Sequence, residues 1–540
     1  MGKKRLGLPA GIQTFEKLHE RNCVYVDKTN YLVNLIDNFD ACFLARPRRF
    51  GKSLTVSTFD ALFSGKRELF KGLYAEAFLN RPDFKPYPVI RLDMSNLTTS
   101  QGIEIMELEL RSNILDIAKK LNVDILDKIS SGQMFDQLIR DAARKYNSKV
   151  VVLIDEYDKP YTDFVNEPEI ANNVRTFLRD FYARIKANDE YIRFTFITGI
   201  SKFAKLGVFS TLNNLRDISL MPEYGEICGY TEAEIIDYFP DYIEETACSM
   251  QMTTDELIAK MRYYYNGFSF DRKAAARLYN PFSTLLFFSE KEFFKFWIDT
   301  GSSKMIADYM KNNNLTVEQF RNFPVSIDFA RNPGDVDTAP PEGFLYQAGY
   351  LTLRPGISEV LSLDYPNTEV LTAMSGLLTQ NILDKQANSI QNYMMFALSK
   401  VTVDLFIDAL NALLASIPYD DFADAARQNV LLHGYKFPVQ EWLYRSTILA
   451  FMRSCGVVVA AEMHTSLGRA DLVVSHKGKT WVIELKVAYE GESPKQKAEE
   501  ALQQIIHKNY AKPYPDAVCI GLAIDDSRRQ ITNYEIIINN

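Results

Sequence analysis

The sequence has few cysteines and no long apolar run. Its 540 residues include six scattered cysteines, none of them in a CxxC pair. This pattern fits reduced thiols better than a disulfide framework or a zinc site. No apolar stretch is long enough to span a bilayer, and the first residues lack the apolar core of a secretory signal. We therefore expect a cytoplasmic protein with no membrane partner.

The sequence also lacks an excess of positive charge. Its formal net charge is -8 at pH 7, with 47% hydrophobic and 24% charged residues. This composition is ordinary for globular proteins. It argues against a generally basic nucleic-acid coat but is compatible with local basic patches. We find no low-complexity segment and no repeat, and a chain of this length predicts two or three domains.

A glycine–lysine–serine motif follows the apolar run at 41–44. It closes the stretch ARPRRFGKSL and has the form of the end of a Walker A phosphate loop. Such a loop turns backbone N–H groups toward phosphate at a helix N-terminus. Gly51 lets the backbone approach the ligand, Lys52 is expected to reach the β- and γ-phosphates, and the Ser53 hydroxyl to ligate Mg²⁺. Leu54 is a further candidate nucleotide-binding residue and opens a predicted helix over 54–63.

Three arginines in this loop need separate comment. Arg46 stands where the general Walker A pattern has its first glycine. Arg48 and Arg49 carry guanidinium groups, which pair well with phosphate. We consider both as candidates to contact nucleotide or a neighbouring subunit. Salt bridges to an acidic surface are an equal alternative for them.

A second motif is the apolar run at 150–154, which ends in Asp155 and Glu156. A continuous apolar run of this length is typical of a fully buried parallel strand. We expect Asp155 to hold Mg²⁺ through water and Glu156 to polarise the attacking water. The alternative is a buried strand followed by a solvated acidic turn.

The predicted strand over 193–199 has a polar end. Thr198 and Ser201 are candidates to sense the γ-phosphate of ATP, or else their hydroxyls cap the turn. Strands that alternate with helices predict a mostly parallel sheet with helices on both faces. A ligand is then expected at the carboxyl ends of the strands. The earlier segment 8–30 is either a packing element or a cover for a nucleotide base.

The middle of the chain, residues 231–300, is predicted to be helical and aromatic, with further helices after it. The passage 343–353 is predicted to form strand and turn. We find no catalytic pattern here and interpret the region as a connector.

Near the C-terminus, two β-runs at 468–474 and 480–486 are predicted to form a hairpin that brings Asp471 and Glu484 together. These carboxylates and the Leu485 carbonyl are hard oxygen ligands suited to Mg²⁺. A divalent cation there would stabilise the charge that develops on a phosphodiester, and Lys486 would orient the attacking water.

Two flanking helices support this interpretation. Glu441, on the preceding predicted helix, adds a carboxylate to the metal ligands, and Gln504, on the following helix, faces the same site. The alternative is an ordinary hairpin whose charged side chains are solvated.

The chain resembles the bacterial AAA-ATPase-like proteins that carry a C-terminal PD-(D/E)XK nuclease-superfamily domain. The stretches that carry the resemblance are LPAGIQTFEKL, YVDKTNYL, RPRRFGKSL, VVLIDEYDKP, ITGISKF, FSTLNNL, YYNGFSF, YNPFST, GRADLVV, VIELKV and ALQQIIHKNY. Arg46 fits this family's form of the loop.

The resemblance implies residue roles at both ends of the chain. It implies ATP binding at Lys52 and Ser53, and Mg²⁺ and hydrolysis roles for Asp155 and Glu156. It also implies a nuclease-like site, whose residues here are Asp471, Glu484 and Lys486, with Glu441 and Gln504 beside them.

We therefore predict an α/β protein with three parts. They are a P-loop AAA-like ATPase domain over 1–230, a helical lid and connector over 231–410, and a small α/β PD-(D/E)XK nuclease-like domain over 411–540. The first hypothesis is an ATP-governed, Mg²⁺-dependent nuclease acting on DNA. The alternative is a nucleotide switch whose C-terminal domain binds nucleic acid or a protein without cutting. Assembly as a homo-oligomer is left open.

Overall fold

The protein is described by a computed structural model that divides into two compact units. The first unit comprises residues 1–297 and 322–368, and the second comprises 298–321 and 369–540. Within them, the described residues are 5–98, 102–127, 129–164, 167–200, 212, 214–297, 317–326, 329, 341–355, 361–383, 387–416, 439–465 and 468–538. The three-part division of the chain stays a prediction. Every helix in the described ranges is too short or too polar to cross a membrane.

A five-stranded parallel sheet is the centre of the first unit. Its strands are β1 (Ala41–Ala45), β2 (Val89–Asp93), β3 (Val150–Asp155), β4 (Ile192–Gly199) and β5 (Arg216–Asp217). They lie in the order β2-β3-β4-β1-β5, and each neighbouring pair is parallel. All six residues of β3 are buried, as expected for a central parallel strand. β4 therefore separates the strand before the glycine–lysine–serine loop from the strand that ends in Asp155.

Helices cover both faces of this sheet. They are α1 (Phe15–Glu20), α2 (Thr29–Asn38), α3 (Lys52–Phe63), α4 (Glu76–Leu79), α5 (Ile103–Lys120), α6 (Ser131–Tyr146), α7 (Lys159–Thr162) and α8 (Pro168–Ala187). On one face, Phe59 of α3 packs against Phe194 and Phe196 of β4, with ring centroids 5.4 and 4.7 Å apart. Ile197 of the same strand belongs instead to a core shared with α5, α6 and α8. This alternation of side chains along β4 confirms the predicted layered α/β fold.

The rest of the first unit is mainly helical. Its helices are α9 (Glu232–Tyr238), α10 (Pro240–Ser249), α11 (Thr254–Tyr265), α12 (Pro281–Glu290) and α13 (Pro341–Gln347), and a small antiparallel sheet has strands β6 (Phe323–Val325), β7 (Thr352–Pro355) and β8 (Leu361–Asp364). Capping boxes start α9 and α11, at Thr231 with Glu234 and at Thr253 with Glu256. The helical middle region is thus confirmed.

One local prediction in this region is wrong. The passage 343–353 was expected to be strand and turn, but residues 343–347 belong to α13 and a strand begins only at Thr352. Pro341 stands at the first position of the helix, where its missing N–H costs nothing. Gly349 follows with a φ of 87°, a left-handed conformation that ends the helical segment.

A mixed five-stranded sheet forms the core of the second unit. The elements of this part are α14 (Thr368–Leu383), α15 (Ala387–Lys400), α16 (Val403–Ala415), α17 (Val439–Ser454), β9 (Val458–Thr465), β10 (Gly468–His476), β11 (Lys479–Ala488), α18 (Pro494–His507), β12 (Val518–Asp525) and β13 (Gln530–Ile538). The strand order is β13-β12-β11-β10-β9. Only β11 and β12 are parallel; the other neighbouring pairs are antiparallel.

Helices also pack on this second sheet. Trp481 of β11 is fully buried and stacks on Phe406 of α16, with ring centroids 4.9 Å apart. Gly521 of β12 lies against α18, and a Cβ added there would come 2.4 Å from the Leu502 nitrogen. The close approach holds α18, which carries Gln504, directly over the strands. The predicted small C-terminal α/β domain is confirmed.

Candidate functional sites

The glycine–lysine–serine loop joins β1 to α3. Gly51 caps α3 with a φ of 102°, in the left-handed region that favours glycine. Its carbonyl accepts the Thr55 N–H at 2.9 Å, so the helix begins at once. The first N–H groups of α3 therefore point out of its N-terminus, where the helix dipole favours an anion.

Lys52 lies against the backbone of this loop. Its side chain is buried, and Nζ donates to the carbonyl oxygens of Arg46 and Pro47 at 2.9 and 3.1 Å. The Lys52 ammonium therefore lies inside the loop that is predicted to bind the phosphates of ATP. Ser53, the next residue, is half-buried in the first turn of α3, and so is Leu54.

Arg46 has a structural role that the sequence did not reveal. Only 1% of this residue is exposed. Its guanidinium donates to the carbonyl oxygens of Ser219 and Tyr224 at 2.7 and 2.9 Å and lies 4.5 Å from the ring centroid of Phe270. Burial lowers the pKa of Arg46 to about 10. Arg46 thus ties the loop to the segment after β5, which accounts for an arginine where the general pattern has glycine.

The other two arginines of the loop have aromatic neighbours. The Arg49 guanidinium lies 3.7 Å from the ring centroid of Phe282, and Arg49 itself has a φ of 65°. The indole N–H of Trp297 donates to the Arg48 carbonyl at 3.1 Å. Contact of Arg48 or Arg49 with nucleotide stays a prediction.

Asp155 and Thr198 meet at the carboxyl ends of β3 and β4. The Thr198 hydroxyl donates to Asp155 Oδ1 at 2.6 Å, and both side chains are buried. Glu156 follows with a φ of 49° and a half-buried side chain, so the chain turns sharply there. The candidate metal ligand and the candidate sensor are therefore in direct contact. Ser201 lies outside the described residues.

Asp158 is a further residue of this edge that the sequence analysis missed. It is fully buried and accepts the Ile200 N–H at 3.1 and 3.3 Å. A Cβ on Gly199 would lie 2.6 Å from the Asp158 Oδ1 atom, so only glycine fits beside it. The available clue was an acidic residue three positions after Asp155. Asp158 fixes the end of β4 next to Thr198.

A pocket adjoins the loop on the side of α3. It is partly open to solvent. Its lining is mostly apolar and comes from four places in the chain, which are the N-terminal segment 9–32, the start of α3 with the loop before it, residues 227–230, and Pro281. The segment 8–30 is a packing element, because Val24 and Val26 belong to a hydrophobic core, and its role as a cover for a nucleotide base stays a prediction. The contribution of 227–230 had no signal in the sequence.

In the second unit, the predicted hairpin brings Asp471 and Glu484 together. The Asp471 N–H donates to Glu484 Oε2 at 3.3 Å, and the Leu485 N–H donates to Asp471 Oδ2 at 2.9 Å. Lys486 Nζ lies 3.4 Å from Glu484 Oε1, and Gln504 Nε2 donates to that same oxygen. The side chains named from sequence on β10, β11 and α18 therefore form one cluster.

Helix α17 adds two charged residues one turn apart. Glu441 is half-buried, and burial raises its pKa, with Lys486 and Asp471 among the charges it senses. Arg445, which the sequence analysis missed, lies with Nη1 3.3 Å from Asp471 Oδ1. The i, i+4 spacing from Glu441 could have indicated it. Among the described residues, no three His, Cys, Asp or Glu side chains are grouped closely enough to hold a metal ion, so Glu441 is near the carboxylate pair without completing a three-ligand set.

The paired carboxyls suit a divalent cation. Burial and the neighbouring Asp471 carboxylate raise the pKa of Glu484 from its usual 4.5 to about 8. Two adjacent carboxylates are costly when ionised without a cation between them. Oxygen ligands from Asp471, Glu484 and the Leu485 carbonyl fit Mg²⁺ or Mn²⁺.

The raised pKa of Glu484 makes metal-free stability depend on pH. Between about pH 4.5 and 8 the folded state keeps a proton that the unfolded state has lost, so stability falls as pH rises through this window. Glu484→Gln cannot ionise and is expected to be more stable than the parent chain at pH 8, on the order of 2 kcal/mol, with a smaller gain at pH 5.

The measurement is urea unfolding in EDTA, followed by tryptophan fluorescence. Glu499→Gln, at an exposed position of α18, is the matched control and should leave the pH dependence unchanged. Equal stability of Glu484→Gln and the parent chain at pH 8 would contradict a raised pKa.

Comparison with known proteins supports the same two parts. A family model described as predicted AAA-ATPase matches residues 9–209, and one described as PD-(D/E)XK nuclease superfamily matches 439–534. The chain is 34% identical over 527 residues to an uncharacterized protein in the vnfD 5' region of Azotobacter chroococcum mcd 1, covering 95% of this chain and 94% of that protein.

Two solved structures show a weaker likeness. One is the Aeropyrum pernix ORC2 protein in ADPNP–ADP complexes, at 12% identity and a TM-score of 0.28, covering 70% of this chain and 97% of that one. The other is the Aeropyrum pernix ORC1 protein in complex with DNA, at 10% identity and a TM-score of 0.24, covering 64% and 91%. Both TM-scores are low, so the fold of this chain rests on its own strands and helices.

Proposed function

Because the chain belongs to the family of predicted AAA-ATPases with a C-terminal PD-(D/E)XK nuclease-superfamily domain, we propose that it binds and hydrolyses ATP and cleaves DNA with a divalent cation. The observation that carries the proposal is the cluster of Asp471, Glu484 and Lys486. Two acidic side chains and a lysine on neighbouring strands, with Glu484 buried, are the groups that phosphodiester hydrolysis needs.

Each residue of the nuclease-like cluster has a part. Asp471 and Glu484, with the Leu485 carbonyl, would hold Mg²⁺, which when bound stabilises the negative charge that develops on the phosphodiester. Lys486 orients the attacking water. Gln504 donates to Glu484 Oε1, which leaves the other carboxylate oxygen toward Asp471.

The ATPase site uses the edge of the first sheet. The N–H groups at the start of α3 and the Lys52 ammonium bind the phosphates, while Ser53 and Asp155 would hold Mg²⁺. Glu156 polarises water, and Thr198, whose hydroxyl donates to Asp155, senses the γ-phosphate.

The apolar pocket beside this loop takes the base of the nucleotide. Its lining of aliphatic and aromatic side chains next to Gly51 suits a flat, largely apolar ring. The segment 8–30 would then both pack on the helical region and cover the base.

A nucleotide switch without cleavage is the second candidate. It is favoured by the guanidinium of Arg445 beside Asp471 and by the lack of a complete three-ligand set in the described residues. A nuclease-like fold with its carboxylates in place can still be inactive, and such a domain would bind nucleic acid or a protein.

The deciding experiment is cleavage of supercoiled plasmid and of single-stranded DNA with Mg²⁺ or Mn²⁺, with and without ATP. We expect cleavage that needs the divalent cation and is lost in Asp471→Asn. The absence of cleavage under every metal, together with ATP turnover, would replace the proposal with the switch.

A further inference from the structure

Arg445 occupies a position at the nuclease-like cluster that the proposed roles leave unexplained. It lies on α17, one turn after Glu441, and its guanidinium lies 3.3 Å from Asp471 Oδ1. The other oxygen of Asp471 accepts the Leu485 N–H at 2.9 Å. Asp471 is thus engaged on both sides by protein groups, although it is the carboxylate that the metal needs.

Positive side chains already accompany the carboxylates of the cluster, with Arg445 beside Asp471 and Lys486 beside Glu484. The carboxylates are Glu441, Asp471 and Glu484, and the cations within electrostatic reach of Glu441 are Lys486, Arg445 and Lys497. A divalent ion bound by Asp471 and Glu484 adds further positive charge to this set. In a partly buried cluster such added charge is costly until an anion joins it.

A phosphodiester is an anion that could neutralise this added charge. Guanidinium groups pair with phosphate through two parallel hydrogen bonds. The side chain of Arg445 is one quarter exposed, so it has room to turn from Asp471 toward a bound nucleic-acid backbone.

We propose that Arg445 is an exchangeable counter-ion, which holds Asp471 until a divalent cation takes that carboxylate and which then pairs with a phosphate of the nucleic-acid substrate. This inference rests on the proposed nuclease site. It makes Arg445 a positioning residue, because it acts on the substrate phosphate and on Asp471 rather than on the attacking water. It also makes metal and nucleic acid bind cooperatively. The metal displaces Arg445 from Asp471, and the phosphate then neutralises the positive charge that the metal adds.

The test is Mn²⁺ binding to the full chain without nucleotide, measured by electron paramagnetic resonance, with Asp471→Asn as the baseline for this site. In Arg445→Met a competing cation is removed, so Mn²⁺ is expected to bind about tenfold more tightly without DNA. Binding of a fluorescent DNA duplex with Ca²⁺ in place of Mn²⁺ is expected to weaken about tenfold in the same variant. A merely structural arginine would not change the two affinities in opposite directions.

Lys497→Met is the matched control. Its side chain is also one quarter exposed, but it pairs with Glu492 at 3.1 Å and Glu500 at 3.6 Å rather than with Asp471. It should change Mn²⁺ affinity much less than Arg445→Met does. Arg445→Lys keeps the charge and should stay close to the parent chain in Mn²⁺ affinity, which guards against a folding defect as the cause.

The outcomes separate this inference from the proposed function. Equal or weaker Mn²⁺ binding in Arg445→Met, with Asp471-dependent binding in the parent chain, would overturn the role of Arg445 and leave the metal site standing. No Asp471-dependent Mn²⁺ binding in any variant would overturn the metal site, and the inference with it.

Discussion

Replacement of Lys52 with alanine is expected to reduce ATP turnover by about a hundredfold or more, the usual cost of removing one preorganised charge-stabilising group. Lys52 is 4% exposed, and its ammonium is held by the carbonyl oxygens of Arg46 and Pro47. Phosphate release measured at saturating Mg²⁺ and ATP gives the loss directly. Lys71→Ala, at an exposed position of the same unit, should retain the full rate.

Trp297 gives a second readout for the same variant. Its indole N–H donates to the Arg48 carbonyl in the loop, so its fluorescence should respond when nucleotide binds. We expect ATP to change the emission of the parent chain but not that of Lys52→Ala, and Trp297→Phe identifies the residue responsible. Full turnover in Lys52→Ala would show that ATP is hydrolysed elsewhere.

The parts of the fold that the sequence predicted correctly are those with a local cause. The run ending at Asp155 is apolar throughout because β3 is buried on both faces, and α3 starts where Gly51 permits a left-handed residue. The hairpin of β10 and β11 follows from two short β-runs joined by a turn, and its register pairs Leu472 with Ile483, next to Asp471 and Glu484.

Long-range partners could not be predicted in this way. Arg46 bonds to Ser219 and Tyr224, more than 170 positions along the chain, and nothing in the loop itself indicates those acceptors. Residues 227–230, which line the pocket, are likewise far along the chain from the loop. Such contacts depend on how the elements pack, which hydrophobic periodicity does not encode.

Two other features of the structure have local signals in the sequence. The helix α13 begins with Pro341 and Glu342, which are favoured in a first turn. Arg445 follows Glu441 at helical spacing and so had to share its face. In both places the helix period carries information that strand alternation and motif matching do not.

The second large effect concerns Lys486. Its replacement with alanine is expected to lower DNA cleavage by about a hundredfold or more, in the range typical of a lost general acid–base or water-positioning group. The ammonium lies 3.4 Å from Glu484 Oε1, so it steadies that carboxylate, and under the proposed function it also orients the attacking water. ATP turnover, which depends on residues of the first unit, should stay at the parent rate.

The assay is plasmid nicking over time with Mg²⁺, in parallel with phosphate release. Lys479→Ala is the matched control, because Lys479 is an exposed lysine at the start of the same strand, β11. This variant should cut normally.

Equal cleavage by Lys486→Ala and the parent chain would mean that the cluster on β10 and β11 does not carry out the cleavage. Cleavage lost in Lys486→Ala, but unaffected by Lys52→Ala and by ATP, would establish a nuclease that its ATPase does not govern. Loss of cutting in both variants would instead tie hydrolysis at the loop to chemistry at Asp471 and Glu484.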